Sequence, residues 1–262
     1  MFGKERFEGL VNVPVSETVA LRVNGVYNRR DGLFEDAATG EDLNIQNNWA
    51  VKAALGWDLT PKTNLLLRYT HDEIDQDARP AISVVPYNDF PNPGAPPIPT
   101  NPTEYLDPRE VPIANDVINN SETRNLDEVT LTISHDLGKM DFTSITSYRE
   151  FQTNNREDED GTNRVDLYFD TNNIEDNESF YQEFRLTGAT DNIAWLAGVS
   201  YFDETAFQTS SGNTNSNAVD TVLLSTEGAR FITIVQLFND IFGVPANLLG
   251  HSWQEDMNNR GD

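Results

Sequence analysis

Apolar and polar residues alternate with a period of two over much of this chain, and short turns break the alternation at regular intervals. Phe7, Gly9, Val11 and Val13 alternate with Glu8, Leu10 and Asn12. After the turn Pro14-Val15-Ser16-Glu17, the residues Val19, Leu21, Val23 and Tyr27 alternate with Ala20, Arg22, Asn24 and Asn28. Such a pair of runs, joined by turn residues, predicts a β-hairpin. A second hairpin follows. Trp49, Val51, Ala53, Leu55, Trp57 and Leu59 share one face, and after Thr60-Pro61-Lys62-Thr63-Asn64 the same face continues at Leu65, Leu67 and Tyr69. A third starts with Val129, Leu131, Ile133 and Leu137 and turns at Leu137-Gly138-Lys139. Its returning strand, 142–151, has no clear face, because Thr143-Ser144-Ile145-Thr146-Ser147 carries little contrast. A fourth pairs Phe180, Phe184 and Leu186 with Trp195, Ala197, Val199 and Tyr201 across Gly188-Ala189-Thr190-Asp191-Asn192.

The prediction is therefore all-β: about eight antiparallel strands in four hairpins, at residues 5–30, 49–75, 127–152 and 179–205. Turns within hairpins are tight, but the links between them, 31–48, 76–126, 153–178 and 206–252, are long. Compact soluble β-proteins connect their strands with about 2–6 residues. Short turns at one rim and long loops at the other are the plan of a transmembrane β-barrel, with periplasmic turns and extracellular loops. The dimensions agree. Trp49 and Trp57 lie eight residues apart on one face, roughly 26 Å at ~3.3 Å per residue, and the apolar band of such a barrel is about 25 Å tall between aromatic girdles. On this reading Arg22, Lys52, Arg68, Glu183 and Arg185 face the lumen. Alternation alone also fits a half-buried soluble sheet, with a core on one side and water on the other.

Composition narrows the partners. Of 262 residues, 18 are Lys or Arg and 43 are Asp or Glu, a net charge of −25 with a pI near 4.2. No basic face exists to neutralise phosphates, so nucleic acid is not an expected partner. With no cysteine there is no disulfide frame, thiolate zinc site or thiol nucleophile. Mean hydropathy is −0.53, and no apolar run reaches the length of a transmembrane helix. The charge concentrates in the links: Asp31, Glu35, Asp36, Glu41 and Asp42 in the first, and the acid-rich stretch around Glu157, Asp158, Glu159 and Asp160 in the third. The second is proline-rich at 91–99 and reads as extended coil. In the last, apolar residues between Glu227 and Gly243 recur near helical spacing, a helix expected to fold over the barrel mouth.

Chemical motifs are few. Aligning Gly161 with the sixth position of an EF-hand places Arg156 first and Leu167 twelfth, where oxygen ligands are required, so that calcium motif fails. His71, His135 and His251 are widely separated, with no zinc-helix spacing. There is no phosphate loop and no Gly-x-Ser-x-Gly elbow. No catalytic, metal or cofactor residue is singled out, and no enzymatic role is expected.

Several segments resemble the barrels of TonB-dependent outer-membrane receptors. Arg6-Phe7-Glu8-Gly9-Leu10-Val11-Asn12-Val13-Pro14 with the strand up to Arg22 is similar to an early barrel hairpin of that family. Tyr27-Asn28-Arg29-Arg30-Asp31-Gly32 and Gly40-Glu41-Asp42-Leu43-Asn44 resemble its exit and loop, and Trp49-Ala50-Val51-Lys52-Ala53-Ala54-Leu55-Gly56-Trp57 its next strand. Phe142-Thr143-Ser144-Ile145-Thr146-Ser147-Tyr148-Arg149 and Gln182-Glu183-Phe184-Arg185-Leu186 also match the pattern. The resemblance implies a barrel of about twenty-two strands with an N-terminal plug, located in the outer membrane of a Gram-negative bacterium. It implies active import of a scarce nutrient, most commonly a ferric siderophore, driven by the TonB complex acting on the plug. Nothing in this chain resembles a plug or an energy-coupling box, and 253–262 resembles the approach to a further strand. The chain is thus expected to be a partial barrel of a longer receptor, with outer-membrane lipid around it. No residue matches a family-wide binding motif, so the ligand-binding residues are unknown at this stage. A passive porin-like channel and a soluble acidic β-protein that binds carbohydrate are the alternative readings.

Overall fold

A computed structural model describes residues 3–84, 105–164, 167–215 and 252–261, the last stretch as backbone alone. The main sheet has nine antiparallel strands: β1 (Glu5–Pro14), β2 (Val19–Arg30), β5 (Gln46–Thr60), β6 (Thr63–Gln76), β7 (Ser121–Asp136), β8 (Met140–Asp158), β9 (Phe169–Ala189), β10 (Ala194–Asn215) and β11 (Ser252–Gly261). A two-stranded ribbon, β3 (Phe34–Glu35) and β4 (Asp42–Leu43), sits in the first link. Neighbours in the sheet follow chain order from β1 to β11. The sheet is a meander whose first and last strands each pair on one side only, among the described residues.

The tight turns form for local reasons. Ser16 Oγ accepts the amides of Thr18 and Val19 at 3.2 and 3.1 Å, and the Val15 amide donates to the Val19 carbonyl. At the third turn Gly138 adopts φ +91, a left-handed conformation that costs glycine nothing, and its amide donates to Asp136 Oδ1.

Register separates two faces. One row of paired residues reads Val11, Val23, Ala53, Tyr69, Val129, Tyr148 and Phe180, and the next Val13, Leu21, Leu55, Leu67 and Leu131. The opposite face carries Asn12, Arg22, Ala54, Arg68, Thr130 and Ser147 in one row, and Asn24, Lys52, Thr70, Glu128 and Arg149 in another. All five residues expected in the lumen, Arg22, Lys52, Arg68, Glu183 and Arg185, fall on this polar face. Its charges are tied together: Arg124 to Asp72 at 2.5 Å, Arg185 to Glu183 at 2.5 Å, and Arg22 Nε to Asn12 Oδ1 at 2.6 Å.

Two sequence readings change. The indistinct strand 142–151 does have a face: Phe142, Ser144, Thr146 and Tyr148 align with the apolar rows, and Ile145 points with Thr132 and Glu183 on the polar side. The strands also run well past the alternating segments. β8 continues to Asp158, β9 begins at Phe169 and β10 reaches Asn215, so most of the stretch 153–178 is ribbon rather than loop. Its residues read as loop because polar side chains occupy both of its faces, which leaves no apolar side to alternate with. The helical stretch expected at 227–243 lies outside the described residues.

No described residue of the nine-stranded sheet is a buried apolar one. The buried apolar residues are Leu43, Ala78, Ile113, Ala114 and Val117, all in the links at the long-loop end. Trp49 and Trp57 are 38% and 43% exposed, and no second sheet or helix covers their rows among the described residues. A soluble sandwich would bury one face, and this sheet does not.

Candidate ligand-facing loop cluster

Since the wall has no core of its own, the packed part of the molecule is the cap of links at its long-loop end. Asp36 joins the first link to the second. Its carboxylate, 4% exposed, accepts the amides of Ala38 at 2.7 Å and Thr39 at 3.3 Å, closing an Asx-type turn, and its other oxygen accepts the Asn115 amide. The Ala37 amide donates to the Ile113 carbonyl, and Ile113, Ala114 and Val117 are buried there. Arg30 closes the base of the β3–β4 ribbon by donating to the backbone carbonyl and side chain of Asn44, which stands at φ +62. Asp77 Oδ2 accepts the Ile45 amide, and burial pushes its carboxyl above the ordinary range.

The third link is fixed by three aspartates. Asp158, 3% exposed, accepts the amides of Asp160 and Gly161. Asp160 accepts the amides of Thr162 and Phe169, each at 2.9 Å, and so folds the segment back on itself. Gly161 permits the fold: it lies at φ +69, and a Cβ there would stand 2.5 Å from the Ser83 backbone nitrogen. Asp170 has no solvent exposure. It receives Arg156 at 2.9 Å and Asn213 at 2.7 Å, together with the Tyr168 hydroxyl. Burial, reinforced by that carboxylate, drives the Tyr168 phenol up to about 12.

Asp116, from the second link, completes a group with Asp158 and Asp160 in which one oxygen of each lies within 4.8 Å of the others. Burial raises Asp116 to about 7, with help from Asp160 and Asp158, and raises Asp158 to about 6. Carboxylate oxygens are the donors hard cations take, and these three are the described side chains placed to hold one. The EF-hand test in sequence rejected the loop around Gly161, and the structure groups two of its aspartates, Asp158 and Asp160, with Asp116 instead. Asp116 lies about forty residues upstream in a segment with no motif, so spacing could not reveal it. The two described histidines are apart: His71 sits on Asp127 at 2.9 Å and His135 on Thr63 at 2.8 Å, and His251 lies outside the described residues.

The raised carboxyls give a pH prediction. A folded-state pKa above the unfolded value stabilises fully below the unfolded pKa, and the contribution is lost as pH rises to the folded one. Asp116 and Asp158 therefore tighten the cap near pH 4 and loosen it as pH approaches 7. The Asp160 and Gly161 amides are expected to be less protected from hydrogen exchange at pH 8 than at pH 5, after correction for intrinsic rates. Asp116→Asn is expected to flatten that dependence. An unchanged profile in the variant would show that the three carboxyls do not interact.

No protein-family model and no curated protein matches the sequence. Solved structures match the fold. The siderophore receptor PiuA from Acinetobacter baumannii superposes with a TM-score of 0.52 at 15% identity, over 80% of this chain and 29% of that one. P. aeruginosa FpvA bound to heterologous pyoverdines superposes at 0.50, with 12% identity, over 81% of this chain and 27% of that one. The chain thus has the fold of a partial transmembrane β-barrel wall. Of the two matched structures, the first is a siderophore receptor and the second carries bound pyoverdines, and this chain spans under a third of the length of each.

Proposed function

We propose that this chain forms part of the wall and extracellular cap of a TonB-dependent receptor in the outer membrane of a Gram-negative bacterium. The cargo is a ferric siderophore, and energy reaches the receptor from the TonB complex through a plug domain. The observation that carries this reading is the two-faced wall. Its apolar rows lie open between two aromatic levels, its other face is polar and carries ion pairs, and the buried apolar residues lie in the links at the long-loop end. Lipid satisfies the first face, and a water-filled, plugged lumen the second. The long-loop end then faces the medium, where the cap formed by 31–44, 77–83, 105–120 and 158–170 would meet the ligand.

The test is uptake of radiolabelled ferric siderophores by cells that carry the complete gene as their sole receptor. Uptake is expected to fall to background when TonB is deleted. Accumulation that persists without TonB would replace the receptor with a passive channel.

A further inference from the structure

The polar face of the wall is unevenly paired. Arg6 meets Glu8 at 2.9 Å, Arg124 meets Asp72 at 2.5 Å, Arg185 meets Glu183 at 2.5 Å and Arg149 meets Glu204 at 3.8 Å. On the same face Arg22, Lys52 and Arg68 reach no carboxylate among the described residues. Arg22 spends only its Nε, on Asn12 Oδ1. All three side chains are exposed.

These three cations are neighbours. Arg22 of β2 and Arg68 of β6 flank Ala54 of β5 in one row, and Lys52 stands two residues along β5 on the same face. Adjacent strands lie about 4.8 Å apart, so the three stems rise within roughly 10 Å of one another. The floor between them is low, because Ala50, Ala54 and Gly56 are the β5 residues beside Lys52 on this face. The register brings one acid of this chain beside them: Glu128, diagonal to Arg68 across β6 and β7, whose carboxylate accepts the Thr130 hydroxyl instead. Asp72 and Glu8, one row further, are taken by Arg124 and Arg6. Like charges side by side on a sheet repel. A chain with 43 acids and 18 bases nevertheless leaves this corner positive, so the matching carboxylates must come from another polypeptide segment.

We propose that Arg22, Lys52 and Arg68 anchor the lumen-filling domain through an acidic segment, whose Asp or Glu side chains complete the three pairs. This rests on the receptor reading above and deepens it. The domain is fastened to one side of the wall, β2 to β6. Along β8 to β10 the cations already have partners in this chain, and the domain makes no such tie there.

The test uses the complete receptor in outer-membrane vesicles, treated with a carbodiimide, which joins an amine to a carboxylate in contact with it. Cross-linked peptides are then mapped by mass spectrometry. Lys52 is expected to be joined to an Asp or Glu of the domain that fills the lumen. The yield is expected to fall about tenfold in the double variant Arg22→Gln, Arg68→Gln, which keeps the reacting amine and loses the two charges that hold its partner. It is also expected to fall between 0.1 and 1 M salt, as the screening length drops from about 10 to about 3 Å. Both substitutions are at exposed positions, and folding is checked by heat-resistant migration of the barrel. A Lys52 joined only to carboxylates of the wall, such as Glu128, or acetylated as fast as the exposed turn residue Lys62, would overturn the anchor. Uptake that depends on TonB would survive that result and leave the receptor reading standing. A complete gene that encodes no lumen-filling domain would overturn both.

Discussion

Replacing Asp170 by alanine is expected to cost about 3 kcal/mol in the cap, the penalty of stranding one partner of a buried ion pair. The carboxylate has no solvent exposure, and the Arg156 side chain that it holds is 28% exposed. Removal would leave that guanidinium, the Tyr168 hydroxyl and the Asn213 amide without their shared acceptor. Since Asp170 ties side chains of β8 and β10 to β9 at this level, the ribbon ends should loosen while the wall below remains paired. Hydrogen exchange at 156–160 and 168–172 in the complete receptor measures this. Asp176→Ala, at an exposed position on the same strand, is the control and should fall within about 0.5 kcal/mol of the wild type. Equal protection in both variants would refute the pivotal place given to Asp170.

The second large effect lies in the wall. Val23→Arg places a cation in the row Val11, Val23, Ala53, Tyr69, midway between the levels of Trp49 and Trp57. An arginine at the bilayer midplane of a barrel costs about 2–4 kcal/mol. Thr70→Arg lies at similar depth on the other face, between Lys52 and Glu128, and is expected to be close to neutral. Urea unfolding from lipid vesicles compares the two in the complete receptor. Similar losses for both would mean that neither face meets hydrocarbon.

How far the sequence reveals the molecule depends on what surrounds each strand. Between Trp49 and Trp57 an open apolar face alternates with a polar one, and there the sequence is readable residue by residue. Girdle and lumen requirements blur it in β8, where Ile145 faces Glu183 on the polar side and Ser144 and Thr146 stand in apolar rows. Above the band the constraint vanishes. Thr153 to Asp158 and Phe169 to Glu178 carry mostly polar residues on both faces, so a well-paired ribbon presents the composition of a loop. The cap was hidden for a different reason. Its contacts are between single polar groups far apart in the chain, such as Asp36 with Asn115 and Asp116 with Asp158, and no local pattern encodes them.

β9 and β10 contain 21 and 22 residues, about 70 Å each at ~3.3 Å per residue, although a tilted strand crosses the hydrocarbon with about ten. On the receptor reading, roughly half of this ribbon would therefore extend past the hydrocarbon at the long-loop end, braced there against β8 and the second link. On living cells an antibody or an added protease would then reach it from outside. Shaving intact bacteria should cut near its tip and spare the strands anchored below.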